Sequence, residues 1–116
     1  MIRFSRTSTI IACAALVACS RVPTYSYDCS PAQALTVQYI NSSGADSKAL
    51  VTLNGRTFTL TEARSASGAR YMTEEGRTPG ATLVWWNKGN EGMLLEGSAS
   101  DSSAPETTIA TCTQAS

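Results

Sequence analysis

Histidine is absent from all 116 residues. That removes the commonest general base and the commonest transition-metal ligand. Charge is sparse and balanced: nine Lys/Arg stand against nine Asp/Glu, and charged residues make up 16% of the chain. A nucleic-acid binder needs a basic excess that is not there, so no nucleic acid is expected as a partner. No C-x-x-C pair and no acidic cluster at calcium-loop spacing occurs, so neither a metal nor a cofactor is expected. No stretch keeps a useful helical period. No apolar run approaches the roughly 20 residues of a membrane-crossing helix.

What is present fits one small globular domain with many turns: 42% apolar residues, with Gly, Ser and Thr scattered throughout. The N-terminus stands apart. Arg3 and Arg6 form a positive segment, and Ile10 to Ala18 is a short apolar stretch, the two halves of a signal peptide. The stretch ends in Leu16-Val17-Ala18-Cys19, which resembles the bacterial lipobox, in which the cysteine is lipidated after cleavage before it. Residues 1–18 are therefore expected to be a lipoprotein signal peptide, 19–27 a lipidated tether and 28–116 the folded domain. The alternative is an ordinary signal peptide in which Cys19 is incidental. Ser20 follows the cysteine, with no aspartate to suggest inner-membrane retention. By resemblance to bacterial lipoproteins, that points to the outer membrane, facing the periplasm. Removing Arg3 and Arg6 leaves seven Lys/Arg against nine Asp/Glu, a mildly acidic mature chain.

Of the four cysteines, Cys13 leaves with the signal and Cys19 takes the lipid. Cys29 and Cys112 remain, in an oxidising compartment, and are expected to form a disulfide. Its loop would span nearly the whole domain, and chain entropy assigns such a bridge about 4–5 kcal/mol, comparable to the stability of a small domain. The alternative, two free thiols serving a metal or a redox role, lacks the spacing and the histidines it would need.

From Leu35 onward the period is two. Leu35–Tyr39, Ala49–Leu53, Arg56–Thr61, Ala69–Thr73, Thr82–Trp86, Met93–Glu96 and Thr107–Cys112 read as strands, and the aromatic end of the tether can supply one more. Asn54-Gly55 between two alternating runs signals a type I′ hairpin, with Val51, Leu53, Phe58 and Leu60 facing one core. Asn41–Asp46, Glu74–Gly80 and Asn87–Gly92 read as turns, and Gly97–Pro105 as a mobile loop. The expectation is an all-β, antiparallel, eight-stranded small barrel closed by one disulfide. A β-sandwich is the alternative that alternation alone does not separate.

Catalytic constellations are weak. Ser67 and Lys88 could form a Ser–Lys dyad only if the lysine were buried, and Lys88 stands in a polar turn. Glu74 and Glu75 are adjacent, so on a strand they face opposite ways, and a solvated turn explains them. Of Trp85 and Trp86, one is expected in the core and the other at the surface or under a loop. Ser65-Ala66-Ser67-Gly68-Ala69 makes a narrow tip, with Gly68 able to take positive φ. Composition alone would call it an ordinary turn.

Two motifs change that reading. Ser67-Gly68-Ala69-Arg70-Tyr71 matches Ser-Gly-x-x-Tyr, and Trp86-Asn87-Lys88-Gly89 matches Trp-x-Lys-Gly. In this order, between Cys29 and Cys112, they make the chain resemble the bacterial inhibitors of c-type lysozyme, the MliC/PliC family. The resemblance implies an eight-stranded barrel with a disulfide and no enzymatic activity. It implies a Ser-Gly loop that enters the lysozyme cleft, with Ser67 and Lys88 meeting the catalytic carboxylates. Gly68, Ala69, Arg70 and Tyr71 are carried along as binding residues, although Tyr71 is also suited to a buried role that positions the loop. The Met72–Leu83 connection looks longer than is usual for the family, and it matters whether it folds over the loop. The rival reading is an envelope lipoprotein that binds a small ligand or glycan at the barrel end through Trp85 or Trp86. A purely structural envelope lipoprotein is the third.

Overall fold

The computed structural model describes residues 22–41, 47–65 and 67–115. The expected signal peptide, the lipidation site Cys19, most of the Asn41–Asp46 turn and Ala66 lie outside these residues. Among the described residues there are eight strands: β1 (Tyr25–Ser30), β2 (Ala34–Ile40), β3 (Lys48–Leu53), β4 (Arg56–Ala63), β5 (Ala69–Thr73), β6 (Ala81–Lys88), β7 (Glu91–Ser98) and β8 (Thr107–Gln114). Each pairs antiparallel with the next, and β8 pairs back onto β1, closing a barrel. Closure separates this fold from the sandwich and leaves no unpaired sheet edge. The Cys29–Cys112 disulfide joins directly opposed residues of β1 and β8, so it fastens the seam between the first and last strands.

The interior follows from the alternation. Leu35, Val37, Ala49, Val51, Leu53, Phe58, Leu60, Leu83, Leu94 and Ala110 are all buried in one core. Each such Leu, Val or Phe contributes about 1.5–3 kcal/mol. The Asn54–Gly55 turn has φ of 50° and 90°, the two positive values that a type I′ hairpin requires. With its own core, a closed sheet and its own disulfide, the barrel is a self-sufficient folding unit.

Up-and-down topology gives the barrel two rims. The upper rim carries the β2–β3, β4–β5 and β6–β7 connections, together with the start of β1 and the end of β8. The lower rim carries the other four connections. The long segment between the two motifs, residues 74–80, is therefore on the lower rim, away from the Ser67 loop. There the Gly76 N–H donates to the Ala81 carbonyl (2.9 Å), and Arg77 pairs with Glu96 of β7 (2.6 Å).

Two boundaries differ from the sequence reading. β1 begins at Tyr25, so residues 25–27 belong to the barrel rather than to the tether. The reason is Tyr27, which is buried edge-on against Trp85 at 4.9 Å between ring centroids. Lys88 ends β6 rather than lying in a six-residue turn, because only Gly89 and Asn90 separate β6 from β7.

Of the expected loop 97–105, residues 99–105 do connect β7 to β8, and only the first two residues depart from expectation. Gly97 and Ser98 complete β7, and the remainder folds on itself: Asp101 accepts from the Ser103 hydroxyl (2.6 Å) and backbone N–H (3.1 Å), and the Ala99 N–H donates to Gly80 (2.9 Å). Glu106, at its end, reaches across to Arg70 of β5 at 2.5 Å. Since β6 and β7 lie between β5 and β8, this ion pair arches over their outer face. Thr82 and Val84, which alternate with the core residues Leu83 and Trp85, are buried on that face, as is Leu95.

Candidate functional site

The upper rim between β4 and β7 is where the two motifs meet. Their juxtaposition starts from register. Ala69 pairs with Asn87 and Arg70 with Trp86, so the loop that feeds β5 emerges beside the end of β6. Gly68, at φ 70°, turns the chain into β5 in a conformation that favours glycine. The contact there is tight. A Cβ on Gly68 would lie 2.6 Å from the Asn87 carbonyl oxygen and 2.7 Å from Lys88 Cγ. Only a residue without a side chain lets the tip sit against the lysine stem.

Hydrogen bonds hold the tip. The Ser67 carbonyl accepts two: from the Ser65 hydroxyl at 2.6 Å and from the Trp86 indole N–H at 2.9 Å. On the neighbouring hairpin, the Asn87 side-chain amide donates to the carbonyls of Gly89 and Glu91, both at 3.2 Å. That closes the two-residue turn in which Gly89 takes φ 63°. Lys88 lies over the Trp86 ring, its Nζ 4.4 Å from the centroid, and its side chain is exposed. Ser67 is exposed as well. The outcome is a hydroxyl-bearing tip and an ammonium side by side on one rim.

The other expected site residues divide. Arg70 is on the outer face, 5.9 Å from the Trp86 ring and paired with Glu106. Ala69 is half-buried against the core. Tyr71 points inward and is only 6% exposed, so it supports the loop from below and does not form part of the surface. Burial, and secondarily the nearby Glu62 carboxylate, raises its phenol pKa.

The tryptophans separate as alternation requires. Trp85 is fully buried, and its indole N–H donates to Tyr39 Oη at 2.9 Å, which in turn lies 3.0 Å from Tyr27 Oη. Tyr25 and Tyr71 pack their rings against Tyr39 at 5.8 Å. Space for the Trp85 ring comes from Gly92, two positions from its β7 pairing partner Leu94, where a Cβ would lie 2.2 Å from the indole. Five aromatic rings thus fill the upper part of the barrel. A ligand or glycan entering that end meets no free Trp85, which removes one of the two anchors of the ligand-binding reading. Sequence reasoning did not find the Trp86–Ser67 hydrogen bond. The register Ala69↔Asn87 was the missing link, and motif spacing alone does not supply it.

The model of a family described as membrane-bound lysozyme-inhibitor of c-type lysozyme matches residues 27–103. The chain belongs to this family. A membrane-bound lysozyme inhibitor of C-type lysozyme from Cupriavidus necator is 35% identical over 80 residues, which cover 68% of this chain and 57% of that relative. The chain thus spans little more than half of the relative's length. No solved structure matches the chain. The stretch matched by the lysozyme-inhibitor family model contains both rim motifs, Ser67–Tyr71 and Trp86–Gly89, while Glu106 and Cys112 follow it.

Proposed function

We propose that this barrel inhibits c-type lysozyme by placing the Ser67–Gly68 tip and Lys88 in the enzyme's catalytic cleft. In this reading a lipid on Cys19 ties it to the bacterial envelope, at the outer membrane facing the periplasm, where it protects peptidoglycan. The observation that carries the reading is the seating of Gly68 against Lys88, with the Ser67 carbonyl clamped by Trp86.

The chemistry is simple. A glycosidase cleft presents two carboxyl groups. The Ser67 hydroxyl donates to one, and the Lys88 ammonium pairs with the other in a site that binding largely dehydrates, where charge-assisted hydrogen bonds are strongest. The inserted tip carries no glycosidic bond, so the enzyme has nothing to cleave. Arg70 forms the edge of the contact, and Tyr71 acts from beneath. The 74–80 segment, on the opposite rim, leaves the approach open.

The test is hydrolysis of cell-wall substrate by a c-type lysozyme in the presence of the barrel from residue 22 onward. Competitive inhibition at near-stoichiometric ratios is expected. Ser67→Ala and Lys88→Ala should each weaken it while leaving thermal unfolding nearly unchanged. Removing Lys88 leaves a partner charge buried and unpaired, which costs about 2–5 kcal/mol, or at least roughly thirtyfold in affinity. Absence of inhibition against any c-type enzyme would sink the proposal.

A further inference from the structure

Trp86 touches every part of the rim site. It stands on the outer face of β6, with Arg70 as its β5 neighbour and Met93 as its β7 neighbour. Its indole N–H holds the Ser67 carbonyl at 2.9 Å. The same nitrogen lies 3.3 Å from the position of a Gly68 Cβ. Its ring underlies Lys88 Nζ at 4.4 Å, with the Arg70 guanidinium at 5.9 Å. One side chain therefore contacts both halves of a site whose halves belong to different hairpins.

The geometry points to Trp86 as the positioning residue that presets Ser67 and Lys88 as one unit before any partner arrives. This inference rests on the lysozyme-inhibition reading and names the residue on which affinity depends indirectly. Ser65, Ser67 and Gly68 have little side chain with which to anchor themselves. Lys88 has a long, freely rotating stem. Without a common support, ordering both would fall on the binding step and subtract from affinity. Trp86 removes that cost in two ways. Its N–H fixes the tip backbone, and its π-face attracts the ammonium and narrows where it can lie. A residue that only packs would act through stability instead. Trp86 lies outside the buried core, which Trp85 fills from the other face of the same strand.

Two variants separate the contributions. Trp86→Phe keeps an aromatic face under Lys88 but has no N–H for Ser67; Trp86→Leu removes both. Each is compared with wild type and Lys88→Ala in lysozyme inhibition, thermal unfolding, and amide hydrogen exchange across residues 65–69. Loss of one hydrogen bond predicts a rise of about five- to tenfold in the inhibition constant for Trp86→Phe, with a larger rise for Trp86→Leu. Exchange in the loop should quicken in both, while the thermal midpoint stays close to wild type. Wild-type inhibition and wild-type loop exchange in Trp86→Phe would overturn the assignment. A thermal midpoint falling in step with inhibition would make Trp86 a packing residue and also overturn it. If wild type itself fails to inhibit lysozyme, the functional reading fails separately, and loop exchange alone decides whether Trp86 positions the tip.

Discussion

Gly68→Ala isolates the contact on which the rim is built. Its cost has two parts. At φ 70° an alanine loses roughly 1–2 kcal/mol to its backbone conformation alone. Its Cβ would also lie 2.6 Å from the Asn87 carbonyl and 2.7 Å from Lys88 Cγ. The lysine stem can swing aside. The Asn87 carbonyl is fixed, because Asn87 is paired with Ala69 on one side and Gly92 on the other. The tip therefore lifts and gives up the Ser67–Trp86 hydrogen bond, a net loss of about 0.5–1.5 kcal/mol. Together these reach about 1.5–3.5 kcal/mol, or roughly 10- to 300-fold if all of it falls on binding. Gly80→Ala is the matched control. Gly80 has φ 84°, nothing within 4 Å of a Cβ, and a place on the lower rim. Both variants should lose thermal stability, by about 4–8 °C per kcal/mol for a domain this size. Only Gly68→Ala should lose lysozyme inhibition. Equal inhibition by the two variants would refute the claim that the tip must sit against Lys88.

Three further outcomes follow from the interior and the seam. Gly92→Ala forces a methyl group to within 2.2 Å of the buried Trp85 ring, and overpacking of this kind costs about 1–3 kcal/mol, visible as a lower denaturant midpoint and a weakened near-ultraviolet circular dichroism signal. Reduction of Cys29–Cys112, which are 83 residues apart, should remove about 4.5 kcal/mol on the chain-entropy argument, so denaturation with and without reductant should give widely separated midpoints. Burial, then the hydrogen bond with Tyr27, raises the Tyr39 pKa well above its ordinary 10.0. The folded state therefore keeps this proton while the unfolded chain loses it, so the contribution is intact below about pH 10 and fades as pH climbs above it. Tyr39→Phe should flatten that alkaline fall in a pH series of thermal midpoints, though it leaves the Trp85 N–H without its acceptor and lowers stability near neutrality by about 1–3 kcal/mol.

Much of this architecture was legible because it rests on local chemistry. Asn54-Gly55 announced its hairpin, since few other pairs accept two positive φ angles. Alternation placed Val51, Leu53, Phe58 and Leu60 on one face, and the expectation of an oxidising compartment paired Cys29 with Cys112. What escaped depends on contacts between distant residues. Alternation is the same in a sandwich and a barrel, so closure appears only when β8 meets β1. The period put Trp85 and Trp86 on opposite faces but not which one faced inward; Gly92, on the adjacent strand β7, provides the room inside. Tyr25-Ser26-Tyr27 was legible as an aromatic tether end able to begin a strand, but too few residues precede it to show a period, and the contact with the Trp85 ring that holds it in the wall was not legible. The Ser/Asp-rich stretch after Ser98 has the composition of a loose loop. It is held by the Asp101–Ser103 bonds, by the Ala99–Gly80 backbone bond and, at its end, by Glu106 reaching Arg70, 36 residues away. Of the site, the motifs supplied the residues, while the register supplied the clamp between them.

The direction of β1 bears on how the protein meets its surroundings. The chain enters the barrel at Tyr25 on the upper rim, the rim that carries Ser67 and Lys88. Before that entry, the Val22 carbonyl already accepts a hydrogen bond from Gln38 of β2 at 3.3 Å. Cys19 stands three residues before Val22, a stretch that reaches roughly 10 Å when fully extended. An anchor at Cys19 would therefore draw the rim that carries Ser67 and Lys88 toward the bilayer, not away from it. A lysozyme would have to be received in the gap between barrel and lipid, or the barrel would have to lie on its side. In either case the short span from Cys19 to Val22 would set the clearance available at that rim.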